Sequence, residues 1–108
     1  MPEKPSAPAE RGDTLTRTRA GAKLQPPGMW KVILHNDDYT TQEFVVWLLK
    51  TVFHKPDAEA VRIMLAVHRE GQGTAGLYPR DVAETKVVQA KHLAEVQEFP
   101  LLCTAEPE

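Results

Sequence analysis

Three consecutive polar residues, Asn36, Asp37 and Asp38, close the apolar run Val32-Ile33-Leu34-His35. An amide beside two carboxylates suits the holding of a cation. The same triplet also reads as plain turn residues, and both readings stand at this stage. Paired acid–base catalysis fits less well, because adjacent side chains on a turn diverge and seldom flank one bond. A metal site built from His35, Asp37, Asp38 and His68 matches no compact ligand spacing, and strand alternation turns His35 away from Asn36. Cys103, next to Leu101 and Leu102, reads as a small buried hydrophobe rather than a nucleophile. Gly71, Gly73 and Gly76 follow a helical pattern instead of opening one, so they do not form a phosphate-cradling loop. His68 and Met64, each taken alone, read as ordinary core or surface residues.

The elements that must position these groups follow from periodicity. Residues 29 to 35 are apolar and β-branched enough for a strand. Thr40, with Glu43 three residues later, fits a capping box opening a helix from Thr40 to about Phe53. Its apolar stripe is Phe44, Val45, Leu48, Leu49, Val52 and Phe53, and Trp47 lies off it. Pro56 and Asp57 start a second helix, with Val61, Met64, Leu65 and His68 on one face and Val67 alongside. A turn at Gly71 leads to a short strand ending near Tyr78. Pro79 opens a third helix from Arg80 to about Val96, carrying a small-residue stripe of Ala83, Val87, Ala90 and Ala94. Residues 99 to 104 read as a last strand and 105 to 108 as a frayed end. The expected class is α+β, a small three-stranded sheet packed against three helices in the order β-α-α-β-α-β.

Composition narrows the classes of function. The chain has 108 residues, 42% hydrophobic and 26% charged, and a net charge of −2. That balance fits one globular domain and supplies no bulk attraction to nucleic acid or to an anionic membrane. No apolar run is long enough to span a bilayer, and the first residues lack the apolar core of a secretory signal. A single cysteine allows neither an internal disulfide nor a cysteine metal framework, so a reducing, cytoplasmic setting is expected. Residues 1 to 27 hold five of the nine prolines and a charge of about +2 by count, with Leu15 and Leu24 as their large aliphatic side chains. They are expected to form a disordered extension, with residues 28 to 108 as the folded domain.

In combination, four segments carry more than each does alone. PPGMWKVILHNDDYT, MLAVH, VAETK and FPLLCT stand in an order and spacing that closely resembles the ClpS family, bacterial adaptors that recognise N-degrons for the ATP-dependent Clp protease. The resemblance runs from Pro26 to the end of the chain.

It implies a non-enzymatic adaptor, with no cofactor or metal, expected to be a monomer. Such an adaptor binds the free α-amine and large hydrophobic first residue (Leu, Phe, Tyr or Trp) of a target and delivers it to a Clp-type AAA+ unfoldase. On this sequence, Asn36, Asp38 and His68 would hold the amine, with Asp37 adding negative potential. Thr40, Gln42, Val45, Met64, Val67 and Leu101 would form the pocket for the first side chain. Asp81, Glu84 and Lys86, read as exposed along one side of the third helix, would meet the unfoldase's N-terminal domain, and the N-terminal extension would assist delivery. Gln42 departs from the Met common in the family, and Thr41 from the Pro, which implies a wall more tolerant of β-branched first residues. Two rival readings remain: a regulator of the unfoldase that binds no cargo, and a metal-dependent hydrolase using Asp37 and Asp38.

Overall fold

The computed structural model describes residues 28–108. The expected disorder of residues 1 to 27 lies outside them. Three strands and three helices follow one another as β-α-α-β-α-β: β1 (Met29–His35), α1 (Gln42–Thr51), α2 (Asp57–Glu70), β2 (Gln72–Pro79), α3 (Arg80–Val96) and β3 (Leu102–Pro107). β1 is the central strand and pairs antiparallel with both neighbours. Its Val32 and Leu34 are fully buried, as a central strand demands. A register shift between Val32 and Ile33 marks a bulge opposite, where Ala75 is the extra residue of β2.

α3 packs across all three strands. Ala83, Ala90 and Ala94 are essentially inaccessible, so small side chains let this helix sit close to the sheet. α2 packs on α1 and on the edge strand β2. Its buried stripe is Ala60, Ile63, Met64 and Val67, one position off the face expected from Val61, which is exposed. At its end Gly71 adopts a left-handed conformation (φ 90°), and its amide returns to the carbonyl of Val67. A Cβ on Gly73 would lie 2.9 Å from Val67 Cγ2 and 3.4 Å from the Ile63 carbonyl, so the α2–β2 packing needs a residue without one.

Three boundaries differ from the sequence expectation. α1 begins at Gln42 with Thr41 as its N-cap, the hydroxyl accepting from the Phe44 amide at 3.1 Å. Thr40 is held in the preceding turn instead, and Glu43 falls one position short of the capping-box site. β3 runs through residues 105 to 107, which do not fray, because Ala105, Glu106 and Pro107 pair with Val32, Lys31 and Trp30. Residues 99 to 101 form the connection before it. There Glu98 turns the chain at φ 62°, and the Phe99 amide bonds back to Ala94.

Candidate functional site

The polar triplet is locked on both sides. The backbone N–H of Asn36 donates to the carbonyl of Gly71 at 2.9 Å, tying the end of β1 to the C-terminal turn of α2. This joins two segments more than thirty residues apart and brings Asn36 to the turn that carries His68. On the other side, Asp37 organises the loop into α1. Its Oδ1 accepts from the amides of Tyr39 (2.8 Å) and Thr40 (2.7 Å), and its Oδ2 accepts from the Thr40 hydroxyl at 2.7 Å. Partial desolvation pushes the Asp37 carboxyl up, but these three hydrogen bonds together outweigh it and hold the acid below its ordinary value.

A cleft of about 460 Å³ opens between this loop, the start of α1 and α2. Asn36, Asp38 and His68 stand exposed on its rim, and among the described residues none of their side chains has a partner. Val45, Met64 and Val67, all buried, supply its apolar floor. Thr40 and Gln42 complete the wall. An unengaged amide, carboxylate and imidazole above an apolar floor can accept hydrogen bonds from a cationic head whose hydrocarbon part goes below.

Other residues singled out in the sequence lie elsewhere. Leu101 belongs to the main core and is not among the residues lining the cleft. His35 faces β3, with Nε2 2.8 Å from the Thr104 hydroxyl oxygen. Among the described residues no group of three or more His, Cys, Asp or Glu side chains is placed to hold a metal ion. Burial pushes the Cys103 thiol up to about 12. Asp81 and Glu84 are exposed near the start of α3, and Glu84 pairs with Arg80 at 3.2 Å. Lys86 does not join them on one exposed side. Five residues after Asp81 is well over one turn, and Lys86 is half-buried, its ammonium donating to the Val52 carbonyl at 2.6 Å. Three lining residues escaped the sequence reading of the pocket: Tyr39, Thr41 and Glu43. Their position flanking the polar triplet was the available signal.

An antiparallel sheet with three helices defines the class: a small α+β domain whose surface carries an open cleft, polar at its rim and apolar at its floor. The chain belongs to the ClpS family. The family model described as ATP-dependent Clp protease adaptor protein ClpS matches residues 25–104. The chain is 55% identical over 82 residues to the ATP-dependent Clp protease adapter protein ClpS of Syntrophus aciditrophicus, covering 76% of this chain and 77% of that protein. It is 50% identical over 104 residues to the adapter of the same name from Desulfatibacillum aliphaticivorans, covering 96% and 98%. Among solved structures, Agrobacterium tumefaciens ClpS2 bound to L-phenylalaninamide superposes with a TM-score of 0.73 at 43% identity, covering 77% of this chain and all of that one. The family is one of adaptors of the Clp protease, and no helix among the described residues is long and apolar enough to cross a membrane.

Proposed function

We propose that this adaptor captures polypeptides by a free α-amine together with a large hydrophobic first side chain, and presents them to a Clp-type AAA+ unfoldase in the cytoplasm. The observation that carries this reading is the set of polar side chains of Asn36, Asp38 and His68, unengaged among the described residues, above the floor of Val45, Met64 and Val67. The ligand of the Agrobacterium relative, an amino-acid amide with a free amine and a benzyl group, has the same two features. In this reading the ammonium donates to the Asn36 oxygen, the Asp38 carboxylate and an imidazole nitrogen of His68. Asp37 builds the loop and adds negative potential without taking a proton donor from the ligand.

The energies require both halves. Charge-assisted hydrogen bonds contribute about 1.5–3 kcal/mol each, and burial of a Leu- or Phe-sized side chain contributes about 1.5–3 kcal/mol. Association itself costs about 4 kcal/mol or more, so the three amine bonds alone, or the side chain alone, fall short of the about 8 kcal/mol net that micromolar affinity needs. Asp81 and Glu84 are the exposed candidates for unfoldase contact. Lys86 would act there chiefly by holding α3 to the end of α1.

Fluorescence anisotropy with a short Leu-initiated peptide, free and N-acetylated, tests the reading. Binding of the free form with at least a hundredfold loss on acetylation is expected. Equal binding of the two, or none of either as for a regulator without cargo, would sink it.

A further inference from the structure

Beside the cleft lies a second groove, of about 440 Å³, running along the outer side of α1. The two share Gln42, Glu43 and Met64 as a common wall. The rest of the groove is mostly hydrocarbon. Trp47 is 47% exposed, yet it is held against Phe44 with ring centroids 5.7 Å apart. Val46 lies beside it, half-buried. Lys50 also lines the groove, but its ammonium is drawn off to Asp57 at 2.9 Å, which leaves its methylene stem for contact. The indole, fixed and half-exposed, offers a flat apolar face that an aromatic or aliphatic side chain can cover.

We infer that this groove is a second subsite of the same bound polypeptide, taking an apolar or aromatic side chain at its third residue. The inference rests on capture of the first residue in the cleft, with which the groove is continuous. In an extended chain residues one and three point to the same side, about 6.7 Å apart. Along α1 the rise from Glu43, which also belongs to the shared wall and lies one turn before Trp47 on the same face, is about 6 Å. A chain whose first side chain enters the floor at Met64, and which leaves past Glu43, therefore brings its third side chain over the indole. The second residue points outward and is not read. An aromatic ring at position three would meet Trp47 in an offset or edge-to-face arrangement.

Anisotropy titrations of the full chain with two labelled peptides, beginning Leu-Ser-Phe and Leu-Ser-Ser, decide the matter, each in free and acetylated form. The wild type is expected to bind the Phe-containing peptide about fivefold more tightly, a difference of about 1 kcal/mol. Trp47→Ser should remove that preference while leaving the affinity for Leu-Ser-Ser unchanged, and Trp47→Phe should retain most of it. Equal affinities in the wild type, or a preference that survives Trp47→Ser, overturn the subsite. If amine dependence persists without any third-position preference, the subsite falls and the cleft reading stands. If acetylation has no effect on either peptide, both fall. A dimer seen in sedimentation and lost in Trp47→Ser would give the groove to a second copy of the chain and overturn the assignment.

Discussion

The ammonium of Lys86 on α3 donates to the carbonyl of Val52, the residue that caps α1, at 2.6 Å. The same ammonium lies 5.6 Å from the centre of the Tyr78 ring. One side chain thus satisfies a helix-end carbonyl that has no intrahelical partner and joins α1, α3 and β2. Lys86→Met should cost about 1–2 kcal/mol in urea unfolding, because it leaves that carbonyl unpaired. Asp81→Lys, a charge reversal in the exposed first turn of α3, should cost no more than about 1 kcal/mol through the helix dipole and weaken docking to an isolated unfoldase N-terminal domain. Unchanged docking by Asp81→Lys would remove α3's first turn from that interface.

Asp37 makes a prediction with a pH sign. Its folded-state value is depressed, so its contribution to stability is fully present above the ordinary value of 3.8 and is lost as the pH falls through the lowered one. Asp37→Ala should be less stable than wild type by about 1 kcal/mol at neutral pH. In parallel unfolding curves the gap should close in the acid range below 3.8. A gap that is constant with pH would mean the carboxylate is not what holds the loop.

The cap of α1 separates two neighbouring threonines. Thr41→Ala removes the acceptor of the Phe44 amide and should cost about 1 kcal/mol. Glu43→Ala should have no capping effect, since its carboxylate sits in the first turn without reaching back to a cap amide. Thermal melts of the two variants check this, and equal losses would refute Thr41 as the residue that caps α1.

Gly73→Ala places a methyl group 2.9 Å from Val67 Cγ2. Overpacking of this kind costs about 1–3 kcal/mol, and any relief moves α2, which carries Met64, Val67 and His68. Stability by denaturation and peptide affinity by anisotropy should therefore fall together. Reduced stability with unaltered affinity would show that the cleft tolerates the shift.

Gln42 lines the cleft with a polar side chain. Gln42→Met should sharpen rejection of β-branched first residues, lowering affinity for an Ile-initiated peptide relative to a Leu-initiated one by about tenfold, the effect of about 1.4 kcal/mol. A ratio unchanged from wild type would exclude position 42 from that discrimination.

The element order was legible in the sequence because periodicity and punctuation are local. A short apolar, β-branched run marked β1, the i, i+3, i+4 stripe marked α1, and Pro79 marked the start of α3 at Arg80. Of the boundaries that differ, one depended on partners far along the chain and another on which of two local hydrogen bonds forms. Residues 105 to 107 look like a polar tail until they are seen pairing with β1. Thr40 looks like a cap until Asp37 is seen to claim its hydroxyl.

The polar triplet, its turn and the helix after it were written into the sequence itself, and the family resemblance named their partners. Only the tertiary structure decided which of those groups remain available. It engaged Asp37 in the loop, left the side chains of Asn36, Asp38 and His68 without partners among the described residues, drew Lys86 inward, and put Leu101 in the core. The reason is physical. Hydrophobic patterning is set by neighbours within a turn or a strand, whereas a hydrogen bond such as Asn36 to Gly71 depends on how distant elements pack.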